Sequence, residues 1–454
     1  MALNLAFVLL GAVCMAGAPQ PVAAASPPAA SVAPVPAFDA AARARELDRI
    51  AALIAGHYVY KDKAATFAAE VRGLTSDPEL RAATDRSLWA AILTRRLGVH
   101  DLHYNVSWAP PQARGAPSLA APEASDPAAL ERQMAGSNYG FDAVERLPGN
   151  IGYVRMSFFA PFDRAADKTP GARRAGEAAL ALIENTDAVI FDVRRNGGGS
   201  PDMIDLLLTP FLGDKPVLLN RFYQRDGERT LDFTTLANFS GARRPKTPVY
   251  VLISARTASA AEEFAYDVQT QKRGLIVGET SMGAANPGGD FDAGDGFSVF
   301  ISTGAAVNPI TGGNWERVGV KPDVVVPAAD ALARAQALAL DQVVKTNAST
   351  SPTEARWTLD TLNAQAAGVR LDPARAGEYV GDFADRTVAQ RDGGLAYHRD
   401  RFPPAQLIPL GGDVFAVDGA PTTRVSFERD AAGKVAVLVV ANSDGGSSSF
   451  AKTP

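Results

Sequence analysis

Four stretches of this sequence carry residue types able to do chemistry. In "LISARTASAAEEF" an apolar run gives way to small hydroxyl residues and then to a helical pattern, which sets Ser259 on a strand-to-helix corner. A hydroxyl placed there sits beside unpaired backbone N–H groups and the positive end of a helix, where a developing alkoxide is stabilised. The same spacing also describes a simple cap, with Thr257 or Ser259 at the start of "AAEEF" and Glu262 completing a capping box. The two roles are compatible, but a nucleophile needs a base.

The chain has four histidines. His57 falls within a helical pattern and His398 in a strand-rich C-terminal region. His100 and His103 share "GVHDLHYNV", and His103, beside an expected strand "LHYNV", is the better general base. Two histidines three apart could hold a metal on a helix. No H-E-x-x-H pattern or cysteine ligand accompanies them, so neither a metal nor a cofactor is expected. The loop "RRNGGGS" follows a buried strand; its glycines could present N–H groups to an oxyanion or simply form a tight turn. It lacks the Gly-Lys-Ser/Thr ending of a phosphate loop and the spacing of a dinucleotide fingerprint. In "GGNWERVGVKPD", Glu316 is a carboxylate able to orient an imidazole, or an ordinary loop glutamate.

These residues must be positioned by a chain of 454 residues, long enough for two or three domains. Its apolar fraction of 46% and charged fraction of 21% are those of a folded globular protein. A net charge of −5, with no cluster of Lys or Arg, gives no footprint for nucleic acid and disfavours attachment to a membrane surface. Residues 1–25 have the apolar stretch and small-residue ending of a signal peptide, although a basic start is missing. Its removal takes away Cys14, the one cysteine, and with it any disulfide or thiolate chemistry. A periplasmic or secreted protein without a stable membrane span is the expectation.

Residues 26–37 read as a Pro/Ala-rich leader, and residues 38–125 as an N-terminal helical domain with one apolar face at Leu47, Ile50, Leu53 and Ile54. Strand and helix patterns alternate over 126–350, the signature of an α/β sheet with helices packed on it. Residues 351–454 read as short strands between Gly/Asp turns, a small antiparallel β domain. No repeat of about 20–50 residues is present, so a solenoid is excluded.

Taken together, "DAVIFDVRRNGGGS", "TASAAEEFA", "RGLIVGETSMGAANPGG" and "RVGVKPDVVV" resemble, in order, the motifs of the tail-specific or C-terminal-processing serine peptidases, over roughly residues 40–345. The resemblance makes Ser259 the nucleophile and implies a crotonase/ClpP-like ββα superhelix as the catalytic domain. The branch that uses a Ser–Lys dyad carries its lysine where this chain has Ala284, so that mechanism is closed to it. The sequence is more similar to the branch of tricorn protease and the interphotoreceptor retinoid-binding protein. There the partners are a histidine from a D-x-H segment and a late glutamate, which fall on His103 and Glu316. The implied oxyanion donors are the N–H groups of Ala260 and of one loop glycine, assigned to Gly198. Many relatives insert a PDZ domain, but only about 45 residues separate His103 from "GNIGYVRM", short of a typical domain. The last ~80 residues resemble a small β-barrel-like module appended to some secreted hydrolases. The expected function is an exported serine peptidase acting on peptides or proteins through an acyl-enzyme. The rival readings are a non-catalytic binder of apolar ligands or peptides, and an esterase with the same site.

Overall fold

A computed structural model describes residues 37–110, 127–165 and 170–453. The expected signal peptide and the leader up to residue 36 lie outside the described residues, as does most of the Pro/Ala-rich stretch at 111–126.

The first helices are α1 (Ala40–His57), α2 (Lys61–Gly73), α3 (Pro78–Ala82) and α4 (Arg86–Leu97). Acidic side chains start three of them: Asp39, Asp77 and Asp85 each accept a hydrogen bond from a backbone N–H of the first turn. Helix α1 buries Leu47, Ile50, Ala51 and Ile54, the face read from its spacing. His57 is the last residue of α1 rather than an interior one. The helices do not close a core by themselves. Trp89 of α4 is fully buried between the rings of Phe38 and Phe297, each 5.4 Å away. Phe297 arrives from far along the chain, on a three-stranded antiparallel sheet in which β1 (Asn105–Trp108) pairs with a later strand. The strand expected from Leu102 therefore begins only at Asn105, and His103 lies in the turn before it. The cause is local: the Asp101 carboxylate accepts the His103 N–H at 2.9 Å, bending the chain as Asx turns do.

After α5 (Pro127–Gly136) comes the central sheet. Its strands are β2 (Phe141–Leu147), β3 (Ile151–Met156), β4 (Ala188–Asp192), then β7 (Val249–Ile253), β8 (Gly274–Gly278) and β12 (Val324–Val325), in the spatial order β12-β8-β7-β4-β3-β2. All neighbours are parallel except the β2–β3 edge pair. Strands β4 and β7 are buried at every residue, as central parallel strands covered on both faces must be. On one face Val189, Phe191, Val251 and Ile253 pack with side chains of α6 (Gly171–Leu182), α7 (Pro201–Leu208) and α8 (Ala260–Thr270). On the other, Ile190, Tyr250 and Leu252 meet α9 (Ala331–Lys345) and Ala355 of α10 (Pro352–Ala366). A second antiparallel sheet joins β5 (Leu218–Gln224), β6 (Arg229–Thr234) and β11 (Gly304–Val307). Strands β9 (Gly288–Gly294) and β10 (Phe297–Ser302) complete the sheet that holds β1.

The segment after Ser351 differs from its reading as strands throughout: α10 and α11 (Pro373–Tyr379) come first, and strands begin at Gly381. From there eight strands, the first Gly381–Phe383 and the last Ser447–Ala451, form an antiparallel meander in chain order. The Thr453 N–H bonds the Asp382 carbonyl at 2.8 Å, bringing the end of the last strand back to the first. Tyr379, Phe383, Phe415 and Phe427 fill its interior, with ring centres 4.9–5.8 Å apart. The α/β centre, helical N-terminal part and C-terminal antiparallel β unit are the expected fold class.

Trp89→Ala removes the ring that joins the helices to β10. A loss of about 3–5 kcal/mol in denaturant unfolding is expected, and a loss below about 1 kcal/mol would show that the helical part does not depend on this contact.

Candidate active site

Ser259 occupies the residue before α8 with φ +53° and ψ −124°, a backbone conformation that costs a non-glycine residue about 1–3 kcal/mol. The corner is held from several sides. The Thr257 hydroxyl donates to the Val193 carbonyl at 2.9 Å and accepts the Ser254 N–H, so Thr257 ties the turn to the end of β4 and does not cap α8. The Ala258 N–H donates to the Asn196 carbonyl at 3.1 Å, joining the corner to the glycine loop. The Ser259 N–H donates to Glu262 at 2.9 Å.

The glycine loop packs directly on the serine. A Cβ on Gly198 would stand 2.8 Å from the Ser259 Cβ and 3.2 Å from the Ala260 nitrogen, and φ is +118° there, so only glycine fits. The Ala260 N–H, at the first position of α8, has no hydrogen-bond partner among the described residues. The Gly198 N–H is occupied: it donates to Asn196 Oδ1 at 2.8 Å. Gly199 is clamped by its neighbours, with Phe159 N–H on the Gly198 carbonyl and Ser200 N–H on the Phe159 carbonyl, both at 2.8 Å. Below the loop, Arg194 and the Tyr153 hydroxyl both bond the buried Asp192 carboxylate.

Glu262 is the residue that sequence reasoning underrated. Read as part of a cap, it is fully buried and accepts four hydrogen bonds. The donors are the Ser259 N–H at 2.9 Å, the Ser281 hydroxyl at 2.6 Å, the Gly283 N–H at 2.6 Å and the Ala284 N–H at 2.8 Å. Burial pushes this carboxyl up from its ordinary value, and the four donors act against that shift. The next N–H along, that of Ala285, donates to Glu316 at 2.8 Å. The segment at Ala284, where a dyad lysine would stand, is instead a backbone bridge between the serine corner and Glu316.

His103 and Glu316 do come together, and Asp101 joins them. One donor atom from each of the three lies within 4.8 Å of the other two. The His103 Nδ1 is 3.6 Å from Asp101 Oδ1, and the imidazole stacks on Phe300 of β10 at 6.0 Å. Asp101 is fully buried and anchored by the His103 N–H and by Asn286 Nδ2 at 3.4 Å, while Asn286 Oδ1 accepts the Tyr60 hydroxyl. Burial alone would raise the Asp101 carboxyl, but its contacts with His103 hold it below the usual range. Burial, reinforced by the negative charge of Asp101, pushes Glu316 up to about 7. The two carboxyls are thus driven apart, one held ionised and the other protonated until near neutrality. Among the described residues no hydrogen bond joins Ser259 Oγ to His103; the bridge through Glu262 and residues 284–285 is what links them. Asp101 was visible only as the first letter of D-x-H, and its role needed the turn to be seen. His100 points elsewhere, to Glu70 at 2.9 Å.

Residues 150–326 match the family model described as Peptidase family S41. A carboxyl-terminal-processing peptidase 2, chloroplastic, of Arabidopsis thaliana is 29% identical over 207 residues, covering 44% of this chain and 37% of that protein. A carboxy-terminal-processing protease of Bartonella bacilliformis is 26% identical over 184 residues, 40% of each. Among solved structures, a photosystem II D1 C-terminal processing protease is 28% identical, with a TM-score of 0.31, over 39% of this chain and 42% of that one. The chain spans about two-fifths of the length of the curated relatives it matches. Through residues 150–326, this chain is similar to peptidase family S41.

Proposed function

We propose that the protein is an exported serine peptidase that cleaves peptide bonds through an acyl-enzyme. The observation that carries the reading is the strained Ser259 corner, packed against Gly198 and followed by the unpaired Ala260 N–H. Ser259 Oγ attacks the substrate carbonyl while His103 takes its proton and later returns it to the leaving amine. Glu316 orients the imidazole, and Asp101, whose carboxylate lies 3.6 Å from Nδ1, places a second acid beside the ring. The Ala260 N–H receives the oxyanion, with Gly198 as the second donor once its N–H leaves Asn196 Oδ1. Each such donor contributes about 2.7–4 kcal/mol to the transition state. A binding protein on this fold has no need of a strained serine, a half-buried imidazole and its acids together. Export rests on the apolar start of the chain; among the described residues no helix is long and apolar enough to cross a membrane. Processing of C-terminal tails is named for the relatives, and the short interval after His103 favours a more general endopeptidase or oligopeptidase here.

A fluorophosphonate probe is expected to label Ser259 and no other residue, and Ser259→Ala to abolish hydrolysis of a peptide library with the thermal midpoint within a few degrees of the parent. Labelling elsewhere, or unchanged turnover, removes the nucleophile assignment. Hydrolysis of esters but not peptides by the same protein would replace peptidase with esterase.

The raised Glu316 carboxyl has two consequences of definite sign. Its folded value of about 7 exceeds the ordinary 4.5, so the native state binds the proton more tightly than the unfolded chain. This contribution to stability therefore falls as pH rises between those values. Activity follows the opposite course, since the ionised form orients the imidazole: kcat/KM is expected to rise through an acid limb near pH 7. Glu316→Gln should lower turnover by about 10²–10⁴-fold, on the scale set by other triads, and abolish or displace the limb. The same limb in the variant would assign it to another group.

Glu262→Gln puts an amide N–H₂ against N–H donors. It should cost about 1.5–3 kcal/mol of stability, the scale of hydrogen bonds to a charged group, and lower kcat more than it raises KM. A variant with parental kcat and stability would show that the bridge is dispensable.

A further inference from the structure

The geometry points to a second use for Asp101, His103 and Glu316: a site for a divalent transition-metal ion, zinc in the first place, whose binding switches the enzyme off. Sequence spacing gave no sign of it, because the donors come from two distant segments that meet only in the fold. One nitrogen and two carboxylate oxygens lie within 4.8 Å of one another. Zinc with arms of about 2.0–2.2 Å sets its ligands about 3.3–3.6 Å apart at tetrahedral angles. The Asp101 Oδ1 to His103 Nδ1 edge, at 3.6 Å, already has that length. Moreover, His103 Nδ1 and Glu316 Oε1 are buried and without hydrogen-bond partners, leaving two free lone-pair positions in the same small space. The remaining groups are anchored: Glu316 Oε2 on the Ala285 N–H, and Asp101 on the His103 N–H and Asn286. Two carboxylates neutralise the dication. The His103 side chain is 17% exposed, which leaves a solvent path to a fourth ligand. Calcium and magnesium ask for six or more oxygens and gain little from one imidazole, whereas zinc, cobalt and nickel accept this mixed set.

The consequence for the reaction follows from the tautomer. A metal on Nδ1 takes the lone pair there, so the one proton of the neutral imidazole moves to Nε2, and the proton released to solvent is that of Glu316. Nε2 then has no lone pair with which to take the Ser259 proton. Metal binding therefore silences the base without touching the serine. Inhibition rests on the peptidase reading, but metal binding does not, and the two can fail separately.

The test uses Ser259→Ala protein, which keeps the three donors and needs no activity. Titration with Co²⁺ should give visible d–d absorption of tetrahedral intensity saturating at one equivalent and displaced by Zn²⁺. His103→Ala and Glu316→Gln, each confirmed folded by circular dichroism, should weaken binding at least about 10-fold, the lower end of what even outer-shell groups contribute. His100→Ala, which disrupts the separate pair with Glu70, should not. In the parent protein, zinc should block fluorophosphonate labelling of Ser259 and a chelator should restore it. Absence of the band, or its persistence in both His103→Ala and Glu316→Gln, overturns the site. Undiminished labelling at saturating zinc overturns the inhibition.

Discussion

The carboxylate of Glu262 holds together two parts of the chain that are otherwise tied at the Met282 N–H, which bonds the Thr257 carbonyl at 3.0 Å. One is the serine corner, whose positive φ must be maintained against the preference of any side-chain-bearing residue. The other is the segment at residues 281–285, whose N–H groups point at Glu262 and then at Glu316. A carboxylate can accept four hydrogen bonds, and here all four come from these two parts. A proton on Glu262 would have to displace one of its donors, so the network itself favours the ionised form in spite of burial. Ser281 extends the arrangement: its hydroxyl donates to Glu262 and accepts the Val320 N–H at 2.7 Å, anchoring the segment after Glu316 as well.

Around that centre, the parts of the proposed site come from different layers. The parallel sheet delivers the glycine loop after β4 and the serine corner after β7, neighbours in the sheet, so their ends lie side by side. The N-terminal helices deliver His103, but only because β1 pairs with β10 and Trp89 docks on Phe297. The imidazole also stacks on Phe300, three residues further along β10. One hairpin thus both closes the helical core and fixes the imidazole of the proposed base.

Electrostatically the site concentrates negative charge in a poorly solvated space. Asp101 and Glu316 flank one imidazole, and a proton or a cation must share the space for both to be ionised. A triad needs such a surplus of negative charge at the moment the imidazolium forms, and the proposed metal site draws on the same surplus. The two behaviours come from one arrangement of charge.

Much of this was legible in the residues themselves. The α/β alternation, the helical start and the strand-rich end follow from hydrophobic period, while Ser259 stood on a corner that a simple cap also explains and became the nucleophile candidate through the ordered motifs around it. Glu316 and His103 were candidates by type and motif. Three things were not legible. The α10 and α11 helices were missed because polar, moderately amphipathic helices carry weak periodicity. The turn at His103 depends on a side-chain to backbone bond from Asp101 that no pattern of apolar residues records. The partners of Glu262 are backbone N–H groups, which every residue possesses and no sequence displays. The amino-acid order by itself determined which side chains were available and that Ser259 stands where a strand gives way to a helix. Only the tertiary structure decided that Glu316 meets Asp101 and His103 and that residues 284–285 bridge the site, because both depend on packing between distant segments; the Asp101 turn and the Asn196 bond to the Gly198 N–H are local side-chain to backbone contacts that apolar patterning does not record.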